Sequence, residues 1–196
     1  MRGADENGII RERERNGRER GMAMREITCC FTGHRPQNLA FGSDEEHEAC
    51  LRVKAELDAR VREAVDDGYR VFLSGMALGA DIWAAETVLA LKERVPGISL
   101  CCILPCATQA SRWNRAQRAR HERILSLCDE AVTMRPVYTR ACMFERNREM
   151  IGRSGRLIAV YDGRGRGGTC FTVKLALCEG LEVVTIDPGG GEEAPP

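Results

Sequence analysis

Six short apolar runs, separated by segments of helical periodicity, constrain this chain more than any other feature. The runs are Glu26–Phe31, Arg70–Leu73, Ile98–Leu104, Ala131–Met134, Leu157–Tyr161 and Val183–Ile186. Between the first two, Cys50, Val53, Leu57, Val61 and Ala64 recur at steps of three and four, which predicts a helix over Asp44–Val65. Ser43 or Asp44 is its expected N-cap, and Gly68 closes it. Further helices are predicted from about Ala80 to Arg94, over Trp113–Leu127, over Thr139–Ile151 and over Thr169–Cys178. Strand–helix alternation of this kind predicts an α/β fold, with a mainly parallel sheet and helices on both faces. Residues 1–24 form a charged lead, expected to be disordered or a frayed helix, because its alternating signs offer almost nothing to bury. A single domain is expected over 25–188, followed by a flexible tail at 189–196.

An open parallel sheet binds ligands beyond the carboxyl ends of its strands, so the residues after each run matter most. The first run is followed by Thr32-Gly33-His34-Arg35-Pro36, and the second by a turn from Ser74 to Asp81 with glycines at 75 and 79. Pro105 to Gln109, leading to Trp113, follows the third. The run ending at Tyr161 is followed by Asp162-Gly163-Arg164-Gly165-Arg166-Gly167-Gly168-Thr169. Three of these four loops hold glycine beside a hydroxyl or an arginine, as phosphate cradles do. One such loop is equally a tight turn with no ligand. Three on one sheet edge favour a nucleotide-type ligand.

Ten cysteines in a chain with no apolar h-region at its start point to reduced, buried thiols and an expected cytoplasmic setting. Cys29-Cys30 and Cys101-Cys102 are adjacent within strand-like runs, so the members of each pair face opposite sides and do not suit one metal. No apolar run approaches the ~20 residues needed to cross a bilayer, so no membrane association is expected. Formal charge is zero overall but uneven. Residues 112–166 hold 13 arginines against 6 acids, whereas residues 25–111 hold 9 bases against 13 acids. The arginine-rich part suits phosphate recognition, since the guanidinium fork matches paired oxygens; a solvated arginine-rich surface is the alternative.

Together Phe31-Thr32-Gly33-His34-Arg35-Pro36, the Ser74–Asp81 turn, Arg146-Asn147-Arg148, and Tyr161-Asp162-Gly163 through Gly167-Gly168-Thr169 resemble the YpsA-like branch of the SLOG superfamily. The resemblance runs in order over about residues 26–188. More distantly, the chain is similar to the Rossmann-like domain of the DNA-processing protein DprA and to the Lonely Guy phosphoribohydrolases. It implies a Rossmann-like fold and a nucleotide-derived ligand, with ADP-ribose-like or NAD-like molecules proposed for the branch and regulatory roles better known there than enzymatic ones. The Lonely Guy pattern places a glutamate three residues after the threonine of its glycine-rich loop, where Thr172 stands in this chain. That departure disfavours a hydrolase.

The expected ligand-binding residues are Thr32, Gly33, His34, Arg35, Ser74, Gly75, Gly79, Asp81, Trp113, Arg146, Asn147, Asp162, Gly167, Gly168 and Thr169. Asp81 either hydrogen-bonds a ribose or caps its helix, with capping the stronger expectation. Trp113, flanked by Arg112 and Asn114, is the candidate to stack on a base, while Trp83 is expected in the core. Arg146 and Arg148 are two apart on a helix, so one of them faces the ligand. His34 has no partner identifiable by spacing, which favours a hydrogen-bonding role over acid–base work. The leading expectation is a nucleotide-binding sensor or regulator that requires no cofactor. A nucleotide N-glycosidase using Asp81 or Glu86 is the enzymatic alternative, and single-stranded nucleic-acid binding through the arginine-rich region is a third. A homodimer is compatible with the fold, but no sequence feature establishes one.

Overall fold

The computed structural model describes residues 21–189. In chain order it contains β1 (Thr28–Gly33), α1 (Glu48–Asp66), β2 (Val71–Ser74), α2 (Ala80–Lys92), β3 (Ser99–Leu104) and α3 (Arg115–Leu127). There follow β4 (Glu130–Thr133), α4 (Cys142–Gly152), β5 (Arg156–Val160), α5 (Gly167–Cys178) and β6 (Glu182–Ile186). The expectations placed on residues 1–20 and 190–196 lie outside the described residues. Residues 21–26 are helical, and Arg25 ties this start to the body by donating to the carbonyls of Ser154 and Glu179.

All six strands are parallel, in the order β4-β3-β2-β1-β5-β6. The chain winds outward from β1 to β4, then crosses back to place β5 on the other side of β1. α1, α2 and α3 pack on one face with Phe31, Phe72, Leu100 and Ile158. α4 and α5 pack on the other with Leu73, Ile103, Leu157 and Ala159. Helices change face when winding changes direction because parallel crossovers keep one hand. This is the doubly wound, Rossmann-like arrangement, and its order reverses between β1 and β5, where such sheets bind ligands.

The period of two explains the cysteine pairs. Cys29 and Cys102 enter the core on the first face, Cys30 and Cys101 that on the second. Burial drives the thiols of Cys30 and Cys101 up to about 12, so they pack as small hydrophobes. Among the described residues no three His, Cys, Asp or Glu side chains are grouped to hold a metal, and no helix is long and apolar enough to cross a membrane.

Two local expectations are corrected. α1 starts at Glu48 rather than Asp44, because the ring of His47, not Ser43 or Asp44, accepts the N–H of Ala49 at its end. The preceding loop instead forms a 3-10 turn at Pro36–Asn38 and buries Leu39 and Phe41 in the core. Asp81 does not cap α2. Gly79 is the N-cap without any side-chain bond, and Asp81 accepts the N–H of Ala77 in the turn before the helix. Trp83 is in the core, only 3% exposed and against Phe41.

Candidate functional site

At the switch point, the backbone of β1 ends beside that of β5. His34 N–H continues the ladder by donating to Val160 O at 3.1 Å, and His34 Nε2 lies 2.8 Å from Asp162 Oδ1. The two residues are 128 positions apart in sequence, which is why spacing offered His34 no partner. Asp162 also accepts the N–H of Arg164 and pairs with its guanidinium. Burial alone would raise the Asp162 carboxyl, but the Arg164 N–H and the His34 ring outweigh it and hold the carboxyl below its ordinary range.

A cleft of about 990 Å³ opens over this pair. His34, Gln37, Asn38 and Leu39 form one wall, and Asp162 with Arg164–Thr169 forms the other, with Pro188 and Gly189 at the rim. α5 begins in this wall. Its N-cap, Arg166, makes no side-chain capping bond, so no capping side chain meets the free N–H groups of the first turn. Such groups carry partial positive charge and suit an anion.

The glycines divide into two kinds. A Cβ on Gly33 would clash with that of Ala80, one on Gly79 would meet His34 O at 3.0 Å, and one on Gly75 would fall inside the Arg146 guanidinium. Protein packs against all three, and Gly79 also sits at φ +92°, where a side chain is strained. By contrast, a Cβ on Gly163, Gly165, Gly167 or Gly168 would meet nothing. Gly163 and Gly167 have φ of +75° and +95°, so their turns require glycine, and the loop leaves space at the cleft.

The Ser74–Asp81 turn therefore lies behind the main cleft rather than in its wall. Ser74 is fully buried; its hydroxyl donates to Asp81 O and accepts Met76 N–H. Met76 sits at φ +56°. Asp81 and Arg146 form a buried ion pair, Nη1 to Oδ2 at 3.2 Å, with each side chain about 6–7% exposed. Burial raises the Asp81 carboxyl against the pull of Arg146, and burial lowers the Arg146 guanidinium against the pull of Asp81. Neither group lines a hollow. Of the Arg-Asn-Arg segment, Arg146 locks the second strand's turn, Asn147 bonds Thr172 Oγ1 at 2.7 Å, and Arg148 is exposed. Thr172 donates in turn to Gly168 O, so the segment positions the first turn of α5 from behind. The hydroxyl at the position where a Lonely Guy enzyme carries glutamate is committed to structure.

A second, smaller hollow of about 210 Å³ adjoins the first, with Gln37 in both walls. Arg35, Ala77, Leu78, Gln109, Trp113 and Met143 complete it. Gln109 Nε2 donates to the carbonyls of Gly75 and Met76. Trp113 presents an edge contact to His121 at 5.2 Å between centroids.

The expected residues thus fall in three groups. His34, Asp162, Gly167, Gly168 and Thr169 line the main cleft; Arg35 and Trp113 line the second hollow. Thr32, Gly33, Ser74, Gly75, Gly79, Asp81, Arg146 and Asn147 lie behind the walls. Glu86 is away from both, held by Arg120 and Arg123 of α3. Gln37, Asn38, Gln109, Arg164 and Arg166 were not singled out from sequence. The loops after β3 and β4 add Arg112, Arg135 and Arg140 to the same sheet edge and carry no acid.

The sequence profile of the YspA SLOG family (YpsA) matches residues 29–180. A UPF0398 protein of Bacillus pumilus is 35% identical over 147 residues, covering 74% of this chain and 78% of its own length. One from Halalkalibacterium halodurans is 28% identical over 155 residues, covering 78% and 80%. Among solved structures, DprA of Streptococcus pneumoniae is similar with a TM-score of 0.55 at 15% identity, over 82% of this chain and 50% of that one. DprA of Helicobacter pylori, described for its single-stranded DNA binding mode, gives 0.53 at 19% identity, over 82% and 65%. This chain therefore spans half to two thirds of those DprA chains, and the likeness is one of fold.

Proposed function

The chain belongs to the YspA SLOG family, and from that premise we propose that it binds a nucleotide-derived ligand of the ADP-ribose or NAD kind as a cytoplasmic sensor or regulator. The observation that carries this reading is the start of α5 without a side-chain cap, opening with its glycines onto a cleft of about 990 Å³ at the switch point. Free N–H groups and the helix dipole favour a phosphate there, and Arg164 and Arg166 supply charge beside it. Volume favours a whole nucleotide over a lone anion, since small-molecule sites run to about 300–1,000 Å³. A glycosidase is disfavoured by position: Asp81 is buried and paired, Glu86 faces α3, and Thr172 carries no carboxylate.

Calorimetric titration with AMP, ADP-ribose and NAD tests the proposal, with Gly168→Asp as the control. A Cβ at Gly168 meets no protein atom within 4 Å, so the site has room for the substitution, while its carboxylate repels a phosphate. The expected result is binding by wild type, weakened at least ~10-fold in the variant, as a charge clash of ~1.4 kcal/mol or more implies. No binding by wild type, or equal binding by both, overturns the reading.

A second reading, single-stranded nucleic acid, is favoured by one observation: the acid-free, arginine-bearing loops after β3 and β4, with Tyr138 60% exposed between Arg135 and Arg140. Basic loops with exposed aromatics suit a sugar–phosphate chain and its bases. Fluorescence anisotropy with a labelled oligonucleotide decides it. Affinity falling steeply with salt and lost in Arg112→Ala/Arg140→Ala supports this reading, and no anisotropy change at low salt excludes it.

A further inference from the structure

His34 meets the main cleft with one ring nitrogen committed and the other open. Three contacts fix its position. Its backbone N–H donates to Val160 O, Nε2 lies 2.8 Å from Asp162 Oδ1, and the Tyr161 ring packs at 5.6 Å between centroids. The Asp162 carboxyl is held below its ordinary range, so it is ionised near neutral pH and only accepts hydrogen bonds. In the neutral imidazole the hydrogen therefore sits on Nε2. The other tautomer would turn a lone pair on that carboxylate, and the Asp162 N–H that would meet it instead is 3.5 Å away. Nδ1 is then a bare acceptor. It has no hydrogen-bond partner among the described residues, and it is not one of their buried, unpaired polar atoms, so it keeps accessible surface. The side chain is 9% exposed and lines the cleft, which puts that surface within reach of a ligand.

A phosphate cannot satisfy this acceptor, because its oxygens are acceptors too. A hydroxyl can. Gly167, Gly168 and Thr169 at the start of α5 line the same cleft as His34, and the group next to a nucleotide's phosphate is a ribose. Resting on the nucleotide reading above, we infer that His34 Nδ1 accepts a hydrogen bond from a ribose hydroxyl and so selects ribonucleotides over nucleotides with a deoxygenated sugar. His34 is thus a specificity-determining residue, and Asp162 acts through it by fixing the tautomer.

Isothermal titration compares AMP with 2′,3′-dideoxy-AMP, which differs only in lacking both hydroxyls. Wild type is expected to bind AMP at least ~10-fold more tightly, the effect of losing a hydroxyl that the site is built to bond. His34→Phe keeps a flat ring, removes the acceptor, and is expected to bring the two affinities within ~2-fold of each other. Equal binding by wild type, or a ratio that survives in His34→Phe, overturns the inference. Nitrogen-15 NMR of the wild-type His34 imidazole decides it alone should the variant not fold or not bind. Nε2 is expected to carry the hydrogen in the free protein, and the Nδ1 resonance to move with saturating AMP but not with saturating dideoxy-AMP. Hydrogen on Nδ1 in the free protein, or the same Nδ1 shift with both nucleotides, overturns the inference. If both bind wild type equally and Gly168→Asp weakens both, the phosphate site stands and only the hydroxyl assignment falls. If neither binds, the inference falls, and the nucleotide reading falls with it unless ADP-ribose or NAD binds.

Discussion

Gly75→Ala tests the packing account of the glycines most directly. The added Cβ would fall within the guanidinium of Arg146, and Gly75 is not among the positive-φ glycines, so backbone strain plays no part. The alanine must displace Arg146 from Asp81, and both side chains are about 6–7% exposed in the native protein. Breaking a buried pair by removing one partner costs about 3–5 kcal/mol, because the other charge is left without compensation. Arg146 is a long side chain that regains some solvation when displaced, so the lower end, about 3 kcal/mol, is expected. For a domain of this size that corresponds to roughly 6–12 °C in Tm. Urea denaturation monitored by circular dichroism measures it, in the wild-type and in the Arg146→Ala background. If the penalty comes from the guanidinium, the same alanine costs less than ~0.5 kcal/mol once Arg146 is gone. A loss below ~1 kcal/mol in the wild-type background, or an equal loss in both, refutes the argument.

Two further outcomes follow from the charge pairs. Glu45 is pushed up by burial, but hydrogen bonds from Arg120 and Lys54 outweigh this and hold its carboxyl at about 2 against an ordinary 4.5. Its contribution is therefore complete above pH 4.5 and is lost as pH falls towards 2. Glu45→Gln is expected to flatten the fall in stability over that window, and an unchanged pH profile would count against the pairing. Asp162→Asn weakens the 2.8 Å bridge between the ends of β1 and β5, a charge-assisted bond of roughly 1.5–3 kcal/mol. Hydrogen–deuterium exchange is expected to show faster exchange at residues 163–168 with β2 and β3 unaffected. Unaltered protection of that loop would mean that His34 does not hold it.

Much of the architecture is legible in the chain because it rests on short-range patterns. The six apolar runs each became a strand with ends shifted by two residues or fewer, and the step of three and four from Cys50 to Ala64 became the buried face of α1. Adjacent cysteines faced opposite cores because a strand alternates sides, a property fixed by two neighbouring residues alone. α1 starts later than Ser43 or Asp44 predicts because the His47 ring, not a residue of the usual capping types, accepts the first-turn N–H, and burial of Leu39 and Phe41 in the preceding loop accompanies the later start.

What the site is made of was decided at longer range. Gly33, Gly75 and Gly79 read in sequence like Gly163, Gly167 and Gly168, because a missing Cβ serves close packing and open space alike. Only the fold separates them, by bringing Ala80, Arg146 and the His34 carbonyl against the first set and nothing against the second. The same holds for His34, whose partner lies across the switch point, and for Asp81, whose partner comes from α4. Sequence alone thus determined a parallel α/β sheet with glycine-bearing loops at one edge, since local periodicity dictates which side chains share a face. Tertiary structure decided which of those loops supports the cleft and which opens onto it, because that depends on what packs behind each one.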